Sequence, residues 1–180
     1  MTTLFEDTNP RPLLQLLTEI DTRTAVLPDF QRGFVWEPRA TRDLIVSIAS
    51  NFPAGSILRV RDTQRAFAVR VFEGAPEMPG VQHTFLVLDG QQRLTSLYQA
   101  FYGVGEHRYY IDLNKLIHNE EFDDAVFHVR SNTKWCTERE KIEVQVSEMI
   151  LPLSVMHKPS GFLNWQRQAI AHVSEDKRLD

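Results

Sequence analysis

The chain has 180 residues, 42% apolar and 10% aromatic, enough for one packed core with at most a small appended subdomain. A formal net charge of −4 excludes a protein that coats nucleic acid by charge alone, and the single cysteine, Cys136, excludes an intrachain disulfide framework. No apolar run approaches the roughly 18 residues of a membrane span, and Met1 to Asp7 has neither the basic nor the apolar region of a signal peptide, so a cytoplasmic location is expected.

The predicted elements begin with a helix near 11–21, with Pro12 in its first turn. An extended segment follows over 25–36, pinned to the core by Phe30, Phe34 and Trp36. The next helix runs from about 38 to 51 and turns Leu44, Ile45, Ile48 and Phe52 inward. Strands are predicted at 56–61, 66–72 and 84–88, and a helix at 91–102. The stretch 74–82, holding Gly74, Pro76, Pro79 and Gly80, reads as a loop and a candidate lid. Further strands are expected at 108–112, 125–130 and 142–147, then a turn at 153–156. A last helix spans 161–174 and packs through Trp165 and Ile170.

The most informative string is Leu88-Asp89-Gly90-Gln91-Gln92-Arg93-Leu94-Thr95. The β-branched and aromatic run before it is a buried strand, while Leu94, Leu97, Tyr98 and Phe101 mark one stripe of a helix. Gly90 therefore lies at a helix start, where free N–H groups and the positive dipole end favour an anion. Arg93 is a cation in the first turn, which makes sense if a phosphate or carboxylate completes the site. Gln91 and Gln92 add carboxamides that both donate and accept. The plain alternative stays open: Asp89 as a cap, Gly90 as a tight turn, and Arg93 as a surface partner for Asp89.

A second polar cluster lies upstream, where Leu27 to Trp36 carries three aromatics around the pair Gln31-Arg32. Every basic residue in the first hundred positions is an arginine, and Arg59, Arg61, Arg65 and Arg70 fall on a predicted β-hairpin. The planar guanidinium suits bidentate phosphate or base-edge contacts, so Arg59, Arg61 and Arg65 are candidate DNA contacts. The alternative is that they balance nearby carboxylates on a solvated face. The six histidines show no metal-ligand spacing, and His118-Asn119 lacks the second histidine of a nuclease motif. Glu175 and Lys177 with the distant Pro28-Asp29 make no credible nuclease pattern, and the charged run 174–180 reads as a segment cut short.

These stretches resemble the N-terminal domain of the GmrSD-type restriction endonucleases, the DUF262 family. The matching residues are Leu27 to Trp36, Asp43 to Ile48, Phe52 to Leu58 and Val87 to Leu97, with later landmarks at Tyr110 to Leu113 and Leu151 to Ser154. The resemblance covers roughly residues 10–160. It implies an α+β, ParB/sulfiredoxin-like fold, a small mixed sheet flanked by helices, followed by the start of a further helical region. The implied division is 1–150 for the nucleotide-binding domain and 151–180 for a C-terminal helical extension.

The implied activity is binding and hydrolysis of a nucleoside triphosphate with Mg²⁺, in a restriction system directed at modified phage DNA. Asp89, Gln91, Gln92 and Arg93 are the catalytic candidates, with Asp89 as the Mg²⁺ ligand. Gly90, Arg93, Gln31, Arg32 and Thr95 are the nucleotide-binding candidates. Implied partners are DNA, a nuclease module in the parent protein or a separate chain, and a second copy in a homodimer; no membrane is implied. Sulfiredoxin-like enzymes place a nucleophilic cysteine where Gln91 stands, so thiol chemistry is not expected. A ParB-type regulatory module without turnover is one alternative, and an interaction domain with a relic motif is another.

Overall fold

The computed structural model describes residues 10–176 except 63, 64, 66 and 120. The Met1 to Asp7 segment, residue 66 of the expected second strand and the tail residues 177–180 lie outside the described residues.

The chain opens with α1 (Leu13–Asp21), whose Leu17 and Ile20 are buried, with Pro12 as its cap residue. β1 (Ala25–Pro28) is buried at every position. α2 (Pro38–Ala49) carries Pro38 in its first turn and buries Thr41, Leu44 and Ile45. Then come β2 (Leu58–Arg61), β3 (Val69–Arg70), β4 (Phe85–Asp89) and α3 (Gln91–Tyr102). The first sheet has the order β2-β4-β1-β3. β1 and β4 pair in parallel at its centre, and the two edge strands pair antiparallel. α3 lays Leu94, Leu97 and Tyr98 against Leu17, Leu27, Leu44 and Val87 to make the main core.

A second, antiparallel sheet of order β6-β5-β7 is built from β5 (His107–Asp112), β6 (Val126–Arg130) and β7 (Ile150–Pro152). Short helices lie between and after these strands: α4 (Leu113–Asn119), α5 (Phe122–Ala125), α6 (Lys134–Glu138) and α7 (Ile142–Ser147). A 3₁₀ turn at Leu153–Val155 leads to α8 (Pro159–Asp176), which packs Trp165 and Ala169 on Val146 and Leu151.

The α+β class and the helix at 91–102 agree with the sequence reading. Several expectations are corrected. The expected small mixed sheet is present, but a second, antiparallel sheet accompanies it. The segment 142–147 is helical, because Ile142 and Val146 at i, i+4 spacing join the cluster around Trp165. β2 and β3 form no hairpin; they are opposite edges of one sheet. Phe30, Phe52 and Ile170 are exposed where burial was expected. β7 and Leu153 belong to the packed body, so a division at 150 cuts the second sheet. The loop 74–82 is tied down by the Arg23 contact to the Met78 carbonyl, and Gly74 abuts Val104 beyond the far end of α3. Neither of these contacts involves the start of that helix, where the lid was expected to close.

Candidate functional site

β4 passes into α3 through one residue. Gly90 holds φ at 89°, and a Cβ there would come within 2.4 Å of Ile57 Cδ1, so neither backbone nor space admits a side chain. No side chain caps α3, and its first turn carries no acidic residue. The leading N–H groups and the positive end of the helix dipole are therefore met by no side chain of the cap, a setting that favours an anion.

The two polar motifs meet at this point. Gln31 Nε2 donates to the Val87 and Leu88 carbonyls at 2.9 and 3.1 Å. Gln91 Nε2 donates to the Arg32 carbonyl at 2.9 Å. Gln92 is buried; its Nε2 donates to the Gly33 carbonyl and its Oε1 accepts from the Val35 N–H, both at 2.9 Å. These partners are 56 to 59 positions apart in the chain. The parallel pairing of β1 with β4 explains the meeting, because the turns that follow both strands emerge at the same end of the sheet. A crevice beyond the carboxyl ends of parallel strands is a recurrent ligand site.

Arg70 on β3 closes one side. Its Nη2 lies 2.8 Å from the Arg32 carbonyl, 3.4 Å from the Gln31 carbonyl and 3.5 Å from Gln91 Oε1. Its Nη1 donates to Glu73 Oε1 at 3.0 Å, and that oxygen also accepts from the Phe34 N–H at 2.9 Å. In the sequence Arg70 stands out only as one arginine of the predicted hairpin, and Glu73 not at all. No local motif marks either, since all their partners except each other come from distant segments.

Arg93 is held on the opposite side. Nη1 donates to the Ala54 carbonyl at 2.8 Å, and Nη2 stands 3.4 Å from Asp89 Oδ2. A Cβ on Gly55, whose φ is 84°, would lie 2.0 Å from Nη1. The guanidinium therefore occupies a slot walled by two glycines, and the side chain is only 21% exposed. The contact with Asp89 is the pairing foreseen in the plain reading. Asp89 itself is 69% exposed, so its carboxylate stays open to solvent.

The remaining candidates divide clearly. Arg32 is exposed, and its guanidinium forms no ion pair with any described residue. Thr95 is fully buried inside α3 and cannot touch a ligand as expected, because core packing encloses it. Arg59 pairs with Glu19 at 2.5 Å and lies 4.1 Å from the Phe85 ring centre, so it balances a carboxylate within the fold. Arg61 is exposed on the same edge strand, and Arg65 contacts Gln82. Among the described residues no group of three or more His, Cys, Asp or Glu is arranged to hold a metal ion. A divalent cation here would rely on Asp89 and on oxygens of its ligand.

The class defined by this fold and site is an α+β domain with an anion-ready strand-to-helix junction clasped by a second polar motif. Residues 13–160 match the GmrSD restriction endonuclease N-terminal domain, and the chain belongs to that family. It is also similar to an uncharacterized protein of Methanocaldococcus jannaschii, at 34% identity over 136 residues, which are 68% of this chain and 23% of that protein. The chain thus spans about a quarter of the length of that relative. No solved structure shows a significant match. No helix among the described residues is long and apolar enough to cross a membrane.

Proposed function

We propose that the chain binds a nucleoside triphosphate together with Mg²⁺ and hydrolyses it, as the N-terminal part of a system that restricts DNA. The observation that supports this most directly is the uncapped start of α3, clasped by Gln31, Gln91 and Gln92 and flanked by Arg93 and Arg32. The phosphates take the leading N–H groups of the helix, and the exposed Arg32 supplies a second cation. Arg93 is pre-positioned by Ala54 and stabilises charge on the transferring phosphoryl group. Asp89 holds the cation or orients the attacking water. One exposed carboxylate fits Mg²⁺, which is commonly held by one or two carboxylates plus phosphate oxygens.

Phosphate release from ATP, GTP, CTP and UTP, with and without Mg²⁺, is the direct test. Arg93→Ala is expected to lower turnover by about 100-fold or more while the fold persists. Turnover at the parent level in that variant would refute the assignment.

A second reading is favoured by one observation: Gln91 and Gln92 both engage their carboxamides in the scaffold, leaving Asp89 alone to activate water. The site then acts as a nucleotide-gated switch of ParB type. Tight binding without phosphate release would identify it. Action on modified phage DNA and coupling to a nuclease module follow from the family as proposals. A gel shift on modified and unmodified DNA tests the first.

A further inference from the structure

We propose that Phe30 and Phe67 form a stacking shelf for the base of the nucleotide whose phosphates occupy the start of α3, an inference that rests on the function proposed above. The two rings make an edge-to-face pair, with centroids 5.8 Å apart and planes inclined at 69°. Phe30 is nevertheless 67% exposed and Phe67 is 52% exposed. An edge-to-face contact occupies one face of one ring only, so the other faces stay open to a ligand.

The shelf is built by the same bonds that build the cradle. Phe30 lies in the turn closed by the Gln31 N–H on the Pro28 carbonyl at 3.2 Å. The Asp29 N–H bonds the Ala68 carbonyl at 3.0 Å, which fixes the end of β1 beside Phe67. Phe30 directly precedes Gln31 and Arg32, and the Arg32 carbonyl is 2.9 Å from the Gln91 side chain. Two residues of chain span at most about 7 Å, and the Phe30 and Gln91 side chains add roughly 5 Å each, so the Phe30 ring is within roughly 20 Å of the start of α3. That range includes the distance at which a ribose carries a base away from its phosphates.

Aromatic faces accept any base, since each base presents a π-surface and no hydrogen-bond readout is involved. The shelf therefore predicts weak discrimination among the four nucleotides. The test is equilibrium binding of ATP, GTP, CTP, UTP and inorganic tripolyphosphate, each with Mg²⁺, to the parent protein and to Phe30→Ala, Phe67→Ala and Phe30→Trp. Both alanine variants are expected to weaken all four nucleotides by about tenfold and to leave tripolyphosphate unchanged. Phe30→Trp is expected to keep parent affinity.

Alanine variants that bind nucleotides like the parent, or that lose tripolyphosphate in parallel, overturn the shelf alone. So does a change of oligomeric state with nucleotide affinity intact, which identifies the rings as a protein contact. If the parent binds neither nucleotides nor tripolyphosphate, the function proposed above fails and the shelf falls with it. Because both rings are mainly exposed, circular dichroism of the alanine variants should match the parent.

Discussion

Gln92 is the second residue of α3, and each end of its carboxamide meets the main chain of the upstream motif. Gln92→Leu keeps the bulk but strands the Val35 N–H and the Gly33 carbonyl. The expected cost is about 1 kcal/mol or more, read from urea unfolding. Nucleotide affinity should fall with it, because Gln31 and Arg32 lose their brace. Gly55→Ala acts on the other wall. A side chain in a left-handed conformation costs about 1–2 kcal/mol, and its Cβ would displace Arg93 from the Ala54 carbonyl. Phosphate release in Gly55→Ala should therefore drop toward the level of Arg93→Ala.

Among the elements, α3 carries both the core and the site. Leu97→Ala is expected to destabilise the protein by about 2–5 kcal/mol, measured by denaturant unfolding, because Leu97 is buried in the main cluster. This helix was legible in the sequence because its apolar stripe, Gly90 before it and Gly103 after it all agree. The segment 142–147 was not. Ile142, Val144 and Val146 alternate as in a strand, while Ile142 and Val146 also sit one helical turn apart, and six residues are too few to decide. Packing against Trp165 decided it. The residues of both polar motifs could be read from composition and spacing, but their contact could not. It depends on a parallel strand pairing between distant segments, and so does the bracing by Arg70, which no neighbouring residue announces.

Across the whole molecule, the second sheet brings a pH dependence. His107 on β5 and His128 on β6 face each other with ring centres 5.4 Å apart. Burial first, then Arg130, hold His107 below the ordinary imidazole range against the opposing pull of Glu106. Burial first, then His107 and Arg42, do the same to His128. Both rings therefore take up protons more readily in the unfolded chain. Their contribution to stability is intact above about pH 6.5 and is lost as the pH falls below it. The urea midpoint should drop between about pH 7.5 and pH 5.5, and the double substitution His107→Gln, His128→Gln should flatten that slope.

The side-by-side run of β1 and β4 has one more consequence. Neither motif can recognise anything as a peptide, because the cradle exists only once a loop of more than fifty residues has closed. Binding competence thus arrives with topology, and a ligand meets it only in the native ensemble. On the proposed function, the melting temperature is expected to climb with triphosphate concentration, as read by a thermal shift titration.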